Sequence, residues 1–270
     1  MHKKALGISF IDASIDEVLE QAITDGGLVV APAGPTLAVD LCQNAFYRQS
    51  LMEADIVVAD SGAMVLLWKM FMKSDPPTRI SGLKLLQGLL AHKEMNRAGA
   101  TFWVHPTPDH QSKNSDWLRS QGIEVGPEDS YVAPIYPKDE IEDHKLLALL
   151  KERRPEAVVL CIGGGTQERL GLWIRDQFHA AGERCPAIFC IGAAIGFLTG
   201  TQVRIPSWAD RPYLGWFFRC LSDPARFVPR YCSALHLAYL IARYGEQLPP
   251  LKPREEAPKQ PRMDNRVTAK

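Results

Sequence analysis

Apolar residues in this chain form short continuous runs, with amphipathic stretches of helical period between them. The most apolar runs read LVVA, IVVAD, TFWVH, AVVLCIG and AIFCIG. Runs of this kind are typical of strands that are buried on both faces of a sheet. Their alternation with helices predicts an α/β, Rossmann-like fold, in which helices cover both faces of a mostly parallel sheet.

Gly, Pro and capping residues predict where each element begins and ends. A capping box at Ser14 and Glu17 starts the first helix, and Gly26 ends it. The predicted strands are Gly7–Phe10, Leu28–Ala31, Ile56–Asp60, Thr101–His105, Ile123–Val125, Ala157–Gly163 and Ala187–Gly192. The later predicted helices are Thr36–Ala54, Met64–Met72, Leu83–Asn96, Asp116–Gln121, Glu140–Arg153, Gln167–Ala181 and Arg230–Tyr244.

The pattern changes after Ile205, so we predict an α/β catalytic domain over residues 1–205. Residues 206–245 form a helical appendage that is rich in arginine and aromatic residues, as expected of a segment at a membrane surface. Pro224 and Pro229 divide it into short helical pieces. Residues 246–270 are rich in proline and charge and are expected to be disordered. A core helix with a few surface arginines explains the appendage about equally well.

The composition of the chain argues against several classes of function. The 270 residues are 46% hydrophobic and 23% charged with a net charge of +0, which does not favour nucleic-acid binding. The chain begins without a signal-peptide pattern, and no apolar run is long enough to span a membrane. Its six cysteines form no CxxC pair, so we expect reduced thiols in a cytoplasmic protein. No histidine spacing predicts a metal site, and no cofactor is expected.

Ligands of parallel sheets bind beyond the carboxyl ends of the strands, which directs attention to the segments that follow them. The turn Gly163–Gly165 precedes a helix, so its backbone could approach an anion. A turn built only for close packing, in which Gln167 and Glu168 cap the helix, is the alternative. Asp60 ends a strand and suits either a general base or a helix cap. Arg79 gains significance only if it converges with these residues.

The motifs, taken in order, resemble one known family. ADIVVADSG, TRISG, LCIGGGTQERLG, GAAIGFLTG, RIPSWA and LGWFFR…DPARFVPRY, which lie within residues 28–244, resemble the WecG/TagA/CpsF family of bacterial glycosyltransferases. The resemblance implies an inverting enzyme that moves an N-acetylmannosamine-type sugar from UDP to a polyprenyl-diphosphate-linked acceptor. It also implies a peripheral protein at the cytoplasmic face of the membrane, active in surface-polysaccharide or teichoic-acid synthesis and compatible with a homo-oligomer.

The resemblance also implies roles for individual residues. Asp60 is the catalytic base, while Arg79 and Gln167 line the active-site pocket. The residues implied at the nucleotide-sugar are Gly163, Gly164, Gly165, Glu168, Gly192, Arg219, Arg226 and Arg230. Those implied at the acceptor or sugar pocket are Pro35, Thr36 and Ser61.

The chain departs from the family pattern at four places near this pocket, which leaves the donor sugar and the acceptor open. Ala31-Pro32-Ala33 replaces a Thr-x-Asn pair, Ile195-Gly196 replaces Phe-Asp, Ala59-Asp60-Ser61 replaces Pro-Asp-Gly, and Gly165-Thr166 replaces Pro-Lys. A catalytically silent, sugar-nucleotide-binding homologue or a scaffold of a polysaccharide complex is the second hypothesis. A Rossmann-type oxidoreductase is the third, and the lack of a GxGxxG motif counts against it.

Overall fold

A six-stranded parallel sheet lies between two layers of helices in the computed structural model, which describes residues 1–200 and 235–252. The spatial order of the sheet is β4-β3-β8-β7-β5-β6, and a separate antiparallel pair is formed by β1 and β2. The strands are β1 His2–Ala5, β2 Ile8–Ile11, β3 Gly27–Val30, β4 Ile56–Val57, β5 Thr101–His105, β6 Ser130–Val132, β7 Ala157–Leu160 and β8 Ala187–Cys190. The predicted α/β class is confirmed.

Nine helices precede residue 200, and a tenth lies in the second described range. They are α1 Ile15–Asp25, α2 Gly34–Asp40, α3 Ala45–Met52, α4 Gly62–Phe71, α5 Gly82–Ala91, α6 Pro108–Ser120, α7 His144–Arg153, α8 Thr166–Ala180, α9 Ile195–Thr199 and α10, residues 235–244. None of the helices within the two described ranges is both long enough and apolar enough to cross a membrane.

Successive strand residues point to opposite faces of the sheet, and both faces are apolar. Val158 and Leu160 pack in one core with α2, α3, α4, α7, α8 and α10. Val159 and Phe189 pack in the other with α1, α5, α6 and α9. Because neither face is exposed, the strands carry the continuous apolar runs that were visible in the sequence.

Local capping decides several boundaries that differ from the predicted ones. The predicted helix Thr36–Ala54 is divided into α2 and α3, because Asn44 caps a new helix by accepting from the Tyr47 amide at 3.0 Å. Similarly, Asp116–Gln121 is only the end of α6, which begins after the cap residue Thr107. The polar strand β1, which pairs with β2, was missed because it has no apolar run.

The edge strand of the sheet was placed wrongly. The extended segment predicted at Ile123–Val125 is not a strand, and Ser130–Val132 pairs with β5 instead. Ile123 and Val125 are nonetheless buried in a core, so their apolar character reflects packing rather than strand pairing.

The C-terminal part of the described chain is integrated with the sheet domain. In α10, Leu237, Leu240 and Ile241 lie in the same core as β3 and β8. Residues 246–252, expected to belong to a disordered tail, contact the body of the protein: the Gly7 amide donates to Glu246 O at 3.0 Å, and Lys252 donates to Cys42 O at 2.8 Å. These backbone bonds, which sequence composition does not encode, extend the ordered chain to residue 252. Residues 201–234 and 253–270 lie outside the described residues.

Candidate active site at the carboxyl edge of the sheet

The segments proposed as a site follow four adjacent strands. In the sheet order β4-β3-β8-β7, these strands are followed respectively by Asp60-Ser61, Ala31–Thr36, Gly192 and Gly163–Gln167. Parallel strands are spaced about 4.8 Å apart, so the four segments share one edge within roughly 15 Å. The predicted convergence of these segments is therefore a consequence of the topology.

Asp60 is held at this edge by backbone pairing and by the start of α5. Ala59 pairs with Arg79 in a parallel bridge, and Arg79 Nε donates to the carbonyl oxygen of Asp60 at 2.9 Å. Asp60 Oδ1 accepts from the amide of Gly82, the first residue of α5, at 2.9 Å. Asp60 thus lies at the carboxyl edge of the sheet, where its carboxylate satisfies a helix amide.

The Gly-rich turn opposite is organised by Glu168. Glu168 Oε2 accepts from the Gly165 amide at 2.6 Å, and Oε1 accepts from Gln167 Nε2 at 3.0 Å. Gln167 Oε1 in turn accepts from the Gly192 amide at 2.7 Å. Gln167 is 2% exposed and Glu168 is 0% exposed, so together they connect the loops after β7 and β8 from beneath.

Helix α2 contacts both Ser61 and the Gly-rich turn. At its start, a Cβ on Gly34 would lie 2.5 Å from Ser61 Oγ, the cap of α4. Two residues later, a Cβ on Gly164 would lie 3.1 Å from Thr36 Oγ1. Only glycines allow these close approaches, so α2 contacts both sides of the site.

The start of α5 forms a second connection. A Cβ on Gly82 would lie 3.0 Å from the carbonyl oxygen of Ile191, which precedes Gly192. Since Gly82 also donates to Asp60, contacts run from Asp60 through Gly82 and Gly192 to Gln167. Two contact paths therefore join Asp60 to the Gly-rich turn beside β3 and β8. They lie at the carboxyl ends of the strands, where parallel sheets of this kind bind ligands in a crevice.

Burial and neighbouring charges shift the pKa values of the charged groups under the turn. Burial raises the pKa of Glu168 to about 7, although its N–H bonds from Gln167 and Gly165 act in the opposite direction. Burial likewise raises the pKa of Asp40, against the influence of Arg169 and Lys138. Arg169 binds backbone, with Nε on Gly165 O at 2.7 Å and further bonds to Pro137 O and Asp139 O. This network fixes the turn from below.

The sequence analysis missed three residues that build this site: Asp40, Arg169 and Gly82. Asp40 could have been identified from the sequence, because it follows Thr36 by one helical turn and both then face the Gly-rich turn. No sequence pattern identifies Arg169 or Gly82 as part of the site. Of the predicted residues, Asp60, Arg79, Ser61, Pro35, Thr36, Gly163–Glu168 and Gly192 lie at this edge, whereas Arg219, Arg226 and Arg230 lie outside the described residues.

Gly165 offers a direct test of how the turn is built. Its φ of +87° suits glycine, and an added Cβ would lie 2.9 Å from Asp40 Oδ2. We expect Gly165→Ala to lower the free energy of unfolding by about 2–3 kcal/mol in urea titrations. Gly163→Ala is the matched control, since nothing lies within 4 Å of its Cβ position; it should change stability by less than about 0.5 kcal/mol. Equal effects of both changes would contradict this account.

A Rossmann-like sheet with a carboxylate and a Gly-rich helix start at its carboxyl edge is the arrangement of many nucleotide-dependent transferases. The model of the WecG/TagA/CpsF family of glycosyltransferases matches residues 3–249. The chain therefore belongs to that family and is a glycosyltransferase.

Two curated relatives are similar over most of their length. An N-acetylglucosaminyldiphosphoundecaprenol N-acetyl-β-D-mannosaminyltransferase of Bacillus spizizenii is 24% identical over 245 residues, which is 84% of this chain and 88% of the relative. A protein of the same name from Bacillus subtilis is 24% identical over 234 residues, 83% of each chain.

Proposed function

We propose that this protein transfers an N-acetylmannosamine-type sugar, with inversion, from a UDP-sugar to a polyprenyl-diphosphate-linked acceptor in surface-polysaccharide or teichoic-acid synthesis. Family membership and the names of the two relatives support the sugar and the acceptor class. The observation that carries the proposal is the position of Asp60 at the same sheet edge as a Gly-rich helix start.

In this mechanism, Asp60 removes the proton from the acceptor hydroxyl as the hydroxyl oxygen attacks the anomeric carbon. The bond to the diphosphate breaks on the opposite face of the sugar, so a single displacement inverts the anomeric centre. Asp60 suits this task because the Gly82 amide, which donates to it at 2.9 Å, holds the carboxylate at the edge of the sheet.

Stabilisation of the leaving diphosphate is the second requirement. The positive end of the α8 dipole, at the Gly163–Gly165 turn, lies at the required edge and would face the negative charge of the diphosphate. Arg219, Arg226 and Arg230 add positive charge in our proposal, and each charge-assisted hydrogen bond is worth about 1.5–3 kcal/mol. Gln167, Glu168 and Gly192 position the turn, because their side-chain and backbone bonds link its two loops.

Acceptor and sugar contacts are assigned to the side of the crevice near Asp60. Pro35 and Thr36 begin α2, Ser61 caps α4, and Arg79 is bonded to the Asp60 carbonyl. A lipid-linked acceptor implies a peripheral enzyme at the cytoplasmic face of the membrane, and residues 206–234 are the proposed contact. No metal or cofactor is part of the proposal.

A catalytically silent homologue is the second candidate. It is favoured by residues that depart from the family pattern: Ala31, where the family has Thr, and Ile195, where the family has Phe, are both buried in a core. They alter the walls of the pocket but leave Asp60 in place, so we favour an active enzyme with its own donor preference.

The decisive assay measures UDP release from UDP-ManNAc, UDP-GlcNAc, UDP-glucose and the corresponding uronic acids, with and without a polyprenyl-diphosphate-linked sugar. We expect acceptor-dependent release that is fastest with an N-acetylmannosamine-type donor, and a product whose anomeric configuration is opposite to that of the donor. UDP binding without release in any combination would support the silent homologue, and retention of configuration would contradict the single displacement.

A further inference from the structure

One surface helix near Asp60 has an apolar outer face. Helix α4 begins one residue after Ser61, and its sequence GAMVLLWKMF contains no acidic residue. Its inner side is buried, with Met64 and Trp68 at 0% exposure. On the outer side, Leu66 is 41%, Met70 71% and Phe71 48% exposed. A helix at the surface of a protein normally presents polar residues to water, so this face indicates a non-aqueous contact.

The side chains on the outer side of α4 and the length of this helix suit a shallow contact with a flat surface. Leu66 and Met70 are four residues apart and lie side by side on the helix. Lys69, in the last turn of the helix, and Lys73, two residues after its end, are both exposed next to these apolar residues. Ten residues extend about 15 Å, which suits a helix that lies in the plane of a lipid surface rather than across it.

Lys69 also connects this face to the site. A groove beside α4 is lined by Val65, Lys69, Asp75 and Arg79, and Arg79 is the residue bonded to the Asp60 carbonyl. The groove therefore runs from Lys69 on α4 to the arginine that is bonded to the backbone of Asp60.

We propose that the outer face of α4, formed by Leu66, Met70 and Phe71 with Lys69 and Lys73, docks on an anionic lipid bilayer and presents the acceptor to Asp60. The inference rests on the proposed function, in which the acceptor is lipid-linked, and adds a contact outside residues 206–234. Three observations favour a bilayer: exposed apolar residues next to exposed lysines, the lack of acidic residues on the helix, and the groove that joins Lys69 to Arg79. Anionic headgroups attract the lysines, while the apolar residues enter the headgroup–acyl boundary.

Vesicle sedimentation of the full chain tests this directly. The protein is mixed with vesicles of phosphatidylglycerol and phosphatidylethanolamine, or with vesicles of phosphatidylcholine alone, in the absence of donor and acceptor. We expect Met70→Glu to lower the partition coefficient on the anionic vesicles about 10-fold. Lys69→Gln and Lys73→Gln should each lower it about fivefold on anionic vesicles and leave it unchanged on phosphatidylcholine.

The matched control is Ile135→Glu, which also replaces an exposed apolar residue by an acidic one. Ile135 is 101% exposed and follows β6, the strand at the opposite edge of the sheet from β4. This change should leave vesicle binding unchanged. Vesicle binding of Met70→Glu equal to that of the unaltered protein overturns the proposal. Two further measurements on Met70→Glu then identify what covers α4 instead. A melting temperature several degrees below that of the unaltered protein would indicate residues 201–234 of the same chain. A mass in light scattering that is half that of the unaltered protein would indicate a second copy of the chain.

The proposed function and the docking of α4 on a bilayer would be contradicted by different results. Vesicle binding is measured without substrates, so a protein with no transferase activity can still confirm the α4 contact. Conversely, acceptor-dependent UDP release by a Met70→Glu variant that binds vesicles normally would sustain the enzyme assignment and remove the docking surface.

Discussion

Replacement of Asp60 by Asn is expected to lower kcat for sugar transfer by about 10²–10⁴-fold, because the acceptor hydroxyl loses its proton acceptor. The amide oxygen of Asn can still accept from Gly82, which the Asp60 carboxylate does at 2.9 Å, so the edge should remain folded. UDP affinity, measured by calorimetry, should change less than about twofold, since the phosphate donors lie at the other side of the crevice.

Asp55 provides the control for this experiment. It lies at the opposite, amino-terminal end of the same strand, where Oδ2 accepts from the Leu28 amide at 2.7 Å. Asp55→Asn should leave kcat within about twofold, even where it costs some stability. If transfer survives in Asp60→Asn at the rate of the Asp55 variant, Asp60 is a helix cap and the base must be sought elsewhere.

Glu168→Ala should have the largest effect on stability. The change removes the acceptor of both the Gly165 amide and Gln167 Nε2, and all of these groups are enclosed. Each buried donor left without a partner costs about 1–3 kcal/mol, and the cavity adds to this. We expect the free energy of unfolding at pH 5 to fall by about 3–5 kcal/mol in urea titrations.

The same variant should reveal a pH dependence. Burial raises the pKa of Glu168 from 4.5 to about 7, so between these values the folded protein holds a proton that the unfolded chain has released. Stability from this group is therefore complete below pH 4.5 and is lost as the pH rises through 7. The difference between the unaltered protein and Glu168→Ala should shrink by roughly 2–3 kcal/mol from pH 5 to pH 8.

Helix α1 contains the matched control, because its capping box has the same form but faces solvent. Glu17 Oε2 accepts from the Ser14 amide at 2.7 Å, and this bond lowers the pKa of Glu17 rather than raising it. Glu17→Ala should cost only a small fraction of the Glu168→Ala effect, and its pH dependence should have the opposite sign. Equal losses in the two variants would show that burial contributes little to the role of Glu168.

Elements with strong local signals were predicted well. The Ser14–Glu17 capping box and Gly26 placed α1 to the residue, and the apolar runs placed β3, β5, β7 and β8. These elements are determined by interactions within a few residues of one another, or by burial on both faces, and both leave a record in the sequence. Cys42, Cys161, Cys185 and Cys190, four of the six cysteines expected to be reduced thiols, are buried and form no disulfide.

Elements whose only support is a distant partner were missed. β1 is polar and exists because it pairs with β2, and β6 is a strand because Ser130–Val132 reaches β5. The contacts of residues 246–252 with Gly7 and Cys42 are likewise backbone bonds between distant parts of the chain. Backbone groups are the same in every residue, so such pairing leaves little trace in side-chain pattern.

The sequence by itself determined the α/β class, the segments that follow the strands, and the candidacy of Asp60 and the Gly163–Gln167 turn, because apolar runs and glycines act locally. Only the tertiary structure decided which segments meet: the order β4-β3-β8-β7 brings Asp60, α2, Gly192 and Gln167 to one edge. It also decided that Gln167 and Glu168 are enclosed supports of the turn and that α4 has an apolar face toward solvent. Strand order and burial arise from contacts between residues far apart in the chain, which no local pattern specifies.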